Sequence, residues 1–185
     1  MLKTPVRDIL SGFCFERIGD HFYLSLFFQP LYNPSEGIHF VFGVRLRDER
    51  NYERYELKTS EIDYTTKEIN RLIERDIELV ISLEDPNNFY DYFGSKLQKD
   101  PHYIFNLALT GCYLKKENCK LLLENAVGYI ERLEQDTKWV VDLLKRARLF
   151  YWVYSQNPDK GIDLLNDWRL LSISALGLEK YAVNK

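Results

Sequence analysis

The stretch HFYLSLFFQPLY, residues 21–32, alternates strictly: Phe22, Leu24, Leu26 and Phe28 interleave with Tyr23, Ser25, Phe27 and Gln29. Successive side chains of a strand point to opposite faces, so this pattern predicts a strand with one greasy and one mixed face. Residues 38–47 repeat it, with Ile38, Phe40, Phe42, Val44 and Leu46 set against His39, Val41, Gly43, Arg45 and Arg47. Between the two, Asn33-Pro34-Ser35-Glu36-Gly37 gathers turn-forming residues, which predicts an antiparallel hairpin. Working outward, residues 12–18 predict a shorter strand joined through the tight link Gly19-Asp20. Residues 52–58 predict a fourth, more exposed one.

From residue 60 the period changes to that of a helix. Ile69, Leu72, Ile73, Ile77, Val80 and Ile81 fall on one stripe, and Thr65 with Glu68 reads as a capping box. Glu84-Asp85-Pro86-Asn87-Asn88 breaks that helix, and Asn88 is placed to cap a short one bearing Phe89, Phe93 and Leu97. Asp100-Pro101 is a cap followed by proline at the first helical position. It opens a helix over 101–115 that carries Ile104, Leu107, Ala108 and Gly111. Longer helices are predicted over 117–135 and 137–155, and Asn157-Pro158 starts the last. The expected fold is α+β: an N-terminal antiparallel sheet of three or four strands followed by five or six packed helices. It is expected as a single domain over 1–185, with 1–58 mainly the β layer and 60–185 mainly the α layer.

Lys+Arg 25 against Asp+Glu 28 gives a formal charge of only −3, and 45% of the 185 residues are hydrophobic. So low a net charge argues against a nucleic-acid binder driven by bulk electrostatics. No apolar run reaches the roughly 18 residues of a membrane-spanning helix, and MLKTPVRDIL lacks the apolar stretch of a signal peptide. Cys14, Cys112 and Cys119 are few and odd in number, which favours a reducing compartment. The expectation is a cytoplasmic chain.

The usual carriers of chemistry are sparse. His21, His39 and His102 lie far apart, and Cys112 and Cys119 share a helical face only if no break falls between 115 and 118. Structural zinc needs about four ligands with at least one close pair, so neither metal nor cofactor is expected. There is no G-x-S-x-G elbow and no glycine-rich phosphate loop. Glu56-Leu57-Lys58, with Asp48 before it, faintly matches the two carboxylates and lysine of a metal-dependent nuclease. A charged protective sheet edge explains the same residues.

Two surfaces stand out. On the mixed sheet face, Tyr23, Phe27 and Gln29 would lie beside His39, Arg45 and Arg47, and aromatics next to arginines are enriched at protein interfaces. Residues 61–100 hold ten acids against five bases, and Glu74, Glu78, Glu84 and Asp85 would attract a basic partner. Trp139, Tyr151, Trp152 and Tyr154 add an aromatic group to one helix. Three aromatics within four positions point in different directions, so at least one is expected at the surface or in an interface.

Gly12-Phe13, Gly19, Phe22-Tyr23, Gln29 and Phe42-Gly43-Val44 together resemble an uncharacterised bacterial α+β family with a C-terminal helical half, of the general make of immunity proteins. The resemblance covers about the first 45 residues, and its motif is structural: glycines for turns and aromatics for core. It implies a non-enzymatic protein binder of an immunity or defence system and brings no catalytic residues. The leading expectation is therefore a cytoplasmic protein-binding domain whose partner is another, basic protein. The alternatives are a metal-dependent nuclease using Asp48, Glu56 and Lys58, and a structural homodimer.

Overall fold

Strict alternation does produce the central strand. In the computed structural model, which describes residues 8–18, 21–34, 41–45, 57–58, 62–96, 99–134 and 136–181, β1 (Ile9–Ile18) and β2 (His21–Pro30) pair antiparallel along their full length. The register sets Ile9 opposite Pro30 and Ile18 opposite His21. β1 begins before the expected residue 12 because pairing continues to Pro30, after which the Leu31 amide donates to the Asp8 carbonyl at 2.9 Å. β3 (Phe42–Arg45) and β4 (Leu57–Lys58) take the other edge of β2, Phe42 opposite Phe28 and Lys58 opposite His21.

Six helices follow among the described residues. α1 (Ile62–Ser82) starts ahead of Thr65, so Thr65 and Glu68 lie inside its first turns rather than forming the expected capping box. Its stripe buries Leu72 and Val80 but leaves Ile81 exposed. α2 (Pro86–Gly94) is capped by Asp85, not Asn88: with proline at the first helical position, the Asp85 carboxylate accepts from the amides of Asn87 and Asn88. Asn88 instead reaches back, donating through Nδ2 to the Ser82 carbonyl at 3.0 Å. α3 (Pro101–Tyr113) starts on the predicted Asp100 cap, which accepts from the Tyr103 amide at 2.8 Å. α4 (Cys119–Glu131), α5 (Lys138–Gln156) and α6 (Pro158–Ala175) complete the layer, Asn157 capping α6. No described helix is long and apolar enough to cross a membrane.

The greasy face of β2 is the seam between sheet and helices. Leu24, Leu26 and Phe28 are fully buried there, in one cluster that extends from Ile9 to Trp168. Phe42 from β3 meets Phe89 and Phe93 of α2 edge-on at 4.7 and 4.9 Å and tilts onto Tyr103 of α3 at 4.5 Å. Such offset aromatic pairs add about 0.5–1.5 kcal/mol each beyond area burial. From α3 to α6 each helix packs on the next, and α6 also returns against α3.

Candidate functional site

Polar side chains enter the core where β2 runs out into residues 31–34. Tyr32 is fully buried, stacks on Tyr113 at 5.2 Å and donates its hydroxyl to Thr110 Oγ1. Burial drives that phenol's pKa far above its ordinary value, against the lowering effect of the Thr110 bond. Asn33 Nδ2 donates to Asn106 Oδ1 at 3.1 Å, and Asn106 Nδ2 donates to the His102 carbonyl at 2.8 Å. The Ser172 hydroxyl of α6 donates to the Asn33 carbonyl at 3.3 Å. Buried amides of this kind persist only when their hydrogen bonds are made inside the protein.

Arg146 of α5 points into this group. Its Nη1 donates to the Pro34 carbonyl at 2.6 Å and to Asn33 Oδ1 at 3.3 Å. Burial lowers its pKa from the usual arginine value, and the nearby Asp142 charge partly restores it. A cleft of about 380 Å³, its open mouth included, is lined by Phe28, Gln29, Phe42, His102, Asn106 and Arg146 among others. His102, on its wall, stacks on Trp139 at 5.3 Å.

Beside the cleft, Asp8 forms an ion pair with Arg169 of α6 at 2.9 Å and accepts the Tyr113 hydroxyl at 3.0 Å. Both partners of the ion pair are about nine-tenths buried, with side-chain exposures of 11% and 8%. This joins the first described residue of the chain to α3 and α6.

The residues singled out from sequence are scattered. On the mixed face, Tyr23, Phe27 and Gln29 are only 7%, 9% and 6% exposed, so β2 is covered on both sides. Phe27 lies between Gly12 on β1 and Gly43 on β3. A Cβ at Gly12 would stand 3.0 Å from the Phe27 ring, so the glycine leaves the room that the aromatic fills. Gln29 reaches the cleft. Arg45 ends β3 opposite Ser25, and Lys58 ends β4; His39, Arg47, Asp48 and Glu56 lie outside the described residues.

The four acids divide into two pairs. Glu74 and Glu78 are exposed on α1, beside Arg71 and Arg75, which bond to Glu68 and Asp76. Glu84 is half-buried and accepts the Ser11 hydroxyl at 3.0 Å, while Asp85 caps α2. The structure thus gathers Glu74 with Glu78, ties Glu84 to β1 and gives Asp85 a capping role.

Sequence reading missed Asn33, Asn106 and Arg146. A signal existed for the last: Leu143, Ala147, Phe150 and Tyr154 form the buried face of α5, and Arg146 falls on that same stripe. A charge there needs a polar environment that periodicity alone does not supply.

The opposite face of α5 departs from the pattern in the other sense. Lys145, Leu149, Trp152 and Gln156 share an exposed stripe, with Leu149 47% and Trp152 64% exposed. Of the three aromatics at 151–154, Tyr154 turns inward to Phe150 and Tyr151 donates to Glu124 at 3.1 Å, so Trp152 is the one left in solvent. Arg148 beside it pairs with Glu131 of α4 at 2.7 Å.

Cys112 and Cys119 meet at the α3–α4 corner after all, although Leu114 and Lys115 end the first helix between them. Cys119 Sγ lies 3.1 Å from the Tyr154 hydroxyl, and burial drives the Cys112 thiol far up. A buried thiol held protonated is a poor nucleophile. Among the described residues, no three His, Cys, Asp or Glu side chains converge into a metal-holding group. Comparisons with protein-family models, curated proteins and solved structures find no match to this chain.

Proposed function

We propose that this chain is a non-enzymatic protein-binding domain that holds its partner on the exposed face of α5, around Trp152. The supporting observation is the side-by-side exposure of Trp152 and Leu149 on a helix whose other face is fully engaged. Tryptophan is the residue most enriched where interface truncations cost most, because it brings a large rigid area with little entropy to lose. Glu74 and Glu78, exposed and without ion-pair partners among the described residues, would speed encounter with a basic protein over longer range. Cys14, Cys112 and Cys119 are all free thiols, which supports a reducing compartment such as the cytoplasm.

The test compares three immobilised proteins in a lysate of the source cells: wild type, Leu149→Glu/Trp152→Glu and Glu74→Lys/Glu78→Lys. Circular dichroism confirms that each is folded. The proposal expects one stoichiometric partner that wild type retains, that the α5 variant loses, and that the α1 variant captures more slowly. A partner retained equally by the α5 variant refutes the assignment of the surface. A wild-type protein that captures nothing, and stays monomeric by light scattering at high micromolar concentration, refutes the binding reading altogether.

A further inference from the structure

The exposed face of α5 continues onto α4. Two bridges hold these helices side by side: Arg148 pairs with Glu131 at 2.7 Å, and the Tyr151 hydroxyl donates to Glu124 at 3.1 Å. Residues three or four apart share one side of a helix. Leu121, Glu124, Gly128 and Glu131 therefore form one stripe on α4, and Lys145, Arg148 and Trp152 form one on α5. The stripes run alongside each other, with Gly128 midway between the bridges. Leu121, at the far end of the α4 stripe, is 59% exposed.

Nothing within the fold requires glycine at 128. The residue lies inside a helix, where glycine is less favourable than alanine, and its φ is not positive. An added Cβ would meet no heavy atom within 4 Å. The missing side chain leaves a dent in α4, between Leu121 on its own stripe and Leu149 and Trp152 on α5. A bare glycine is what lets another chain approach a backbone closely.

The charges beside the dent have a sign. Glu124 and Glu131 each already accept a donor from α5. Lys145 on α5 and Lys120 at the head of α4 are exposed and make no hydrogen bond or ion pair among the described residues. Asp142, the one acid of α5, is half-buried and acts on the inward Arg146. Glu134 and Asp136 lie between the two helices in sequence, about three helical turns from Leu149. The uncommitted charge around the groove is therefore positive, in a chain whose net charge is −3.

We propose that this groove seats an acidic amphipathic helix of the partner. Its apolar edge lies over Gly128 and against Leu149 and Trp152, and its carboxylates face Lys145 and Lys120. Helices docked in grooves use anchors at i, i+3 or i+4 and i+7, and the stripe from Leu121 to Glu131, about 15 Å long, accommodates them. This rests on the α5 reading and names the segment that docks there. Glu74 and Glu78 act on the body of the partner from a distance, the two lysines on the docked helix alone.

The experiment selects, from a display library, amphipathic helical peptides of about 20 residues that bind the full wild-type chain. Their polar-face positions are drawn equally from Glu, Lys and Gln. Selected peptides are expected to carry Glu in clear excess over Lys. Their affinity, read by titration calorimetry, should fall at least about tenfold in Gly128→Leu, which fills the dent, and in Lys145→Glu. Urea unfolding should show Gly128→Leu no less stable than wild type, so that the loss is one of binding. Lys145→Glu, at an exposed position, decides alone should Gly128→Leu be less stable. No enrichment, no excess of Glu, or equal binding to Gly128→Leu each overturns the proposal. So does self-association of wild type in sedimentation that Gly128→Leu abolishes, which assigns the groove to a second copy. If the lysate partner is lost by Leu149→Glu/Trp152→Glu yet kept by Gly128→Leu, the α5 reading stands and the acidic helix falls.

Discussion

Replacing Gly161 with alanine should loosen the corner where α5 turns into α6. Asn157 caps α6 with its side chain, and Gly161 sits one turn later against the last turn of α5. A Cβ there would lie 2.6 Å from Tyr154 Cδ2 and 3.1 Å from both Tyr154 Cα and Cβ. Carbon atoms pack best at roughly 3.5–4.0 Å, so all three contacts are repulsive. Swinging the ring away relieves only the first, because Cα is backbone. The ring is also restrained, by its hydroxyl 3.1 Å from Cys119 Sγ and by stacking on Phe150 at 5.6 Å. The helix ends must therefore part. Overpacking of this kind costs about 1–3 kcal/mol. Against it stands a gain of up to about 1 kcal/mol from replacing a helical glycine. The net expectation is a loss of about 1–2 kcal/mol, or roughly 3–6 °C in Tm for a chain of this size. Gly128, within α4, has no heavy atom within 4 Å of the same added carbon. Gly128→Ala should therefore gain about 0.5–1 kcal/mol. Urea unfolding followed by far-ultraviolet circular dichroism measures both, with the slope m checked for constancy. If Gly161→Ala matched or exceeded wild type while Gly128→Ala gained as expected, the clamp at Tyr154 would not exist.

Other expectations concern the buried polar groups and the helix ends. Asp8→Ala leaves Arg169 buried beside an empty place, and a loss of about 3–5 kcal/mol in urea unfolding is expected; Asp8→Ala/Arg169→Met should lose less than the two single changes added together. The Tyr103 hydroxyl donates to the carbonyls of Phe93 and Lys96, and burial, with Tyr92 adding to it, pushes its pKa up to about 12. A tyrosine of the unfolded chain ionises near about 10. Its contribution is therefore complete below about pH 10 and lost as pH rises through about 12. Tyr103→Phe should flatten the fall of the urea midpoint over that window, and an unchanged slope would refute the assignment. At the end of α6, Gly177 has φ +64, the Leu178 amide donates to the Ile173 carbonyl at 2.8 Å, and Gly177→Ala should cost about 1 kcal/mol of thermal stability. Lys115 takes the same position after α3 with φ 54. Lys115→Gly should gain about 0.5–1 kcal/mol, less whatever the exposed pair with Asp159 contributes.

Local chemistry was legible wherever the deciding partner is near in sequence. Alternation over 21–32 placed β2, and Asp100 and Asn157 cap α3 and α6 as their sequence contexts predict. The α1 box failed because the helix starts ahead of Thr65, while at α2 two local signals compete and proline at Pro86 decides for Asp85 over Asn88. What alternation could not tell is how much of the mixed face is covered. Tyr23, Phe27 and Gln29 keep the period of a half-exposed strand yet are buried, because β2 is an inner strand and coverage of its second face is set by residues distant in the chain.

The candidate sites were harder to read because each consists of residues distant in the chain. Asn33 and Asn106 bond across a separation of 73 residues, and Arg146 joins Asn33 across 113. Read singly, they are a turn residue, a helix interior and one base of a basic helix. α5 nevertheless breaks its own pattern twice within seven positions. Arg146 falls on the stripe that buries Leu143 and Phe150, and Trp152 on the stripe that exposes Lys145 and Gln156. Stability alone would favour the reverse, an apolar residue inside and a charge outside. Sequences are locally consistent except where something other than stability selects the residue. The inward arginine is answered by the Pro34 carbonyl and Asn33, which leaves the outward Trp152 as the residue on which the binding proposal rests.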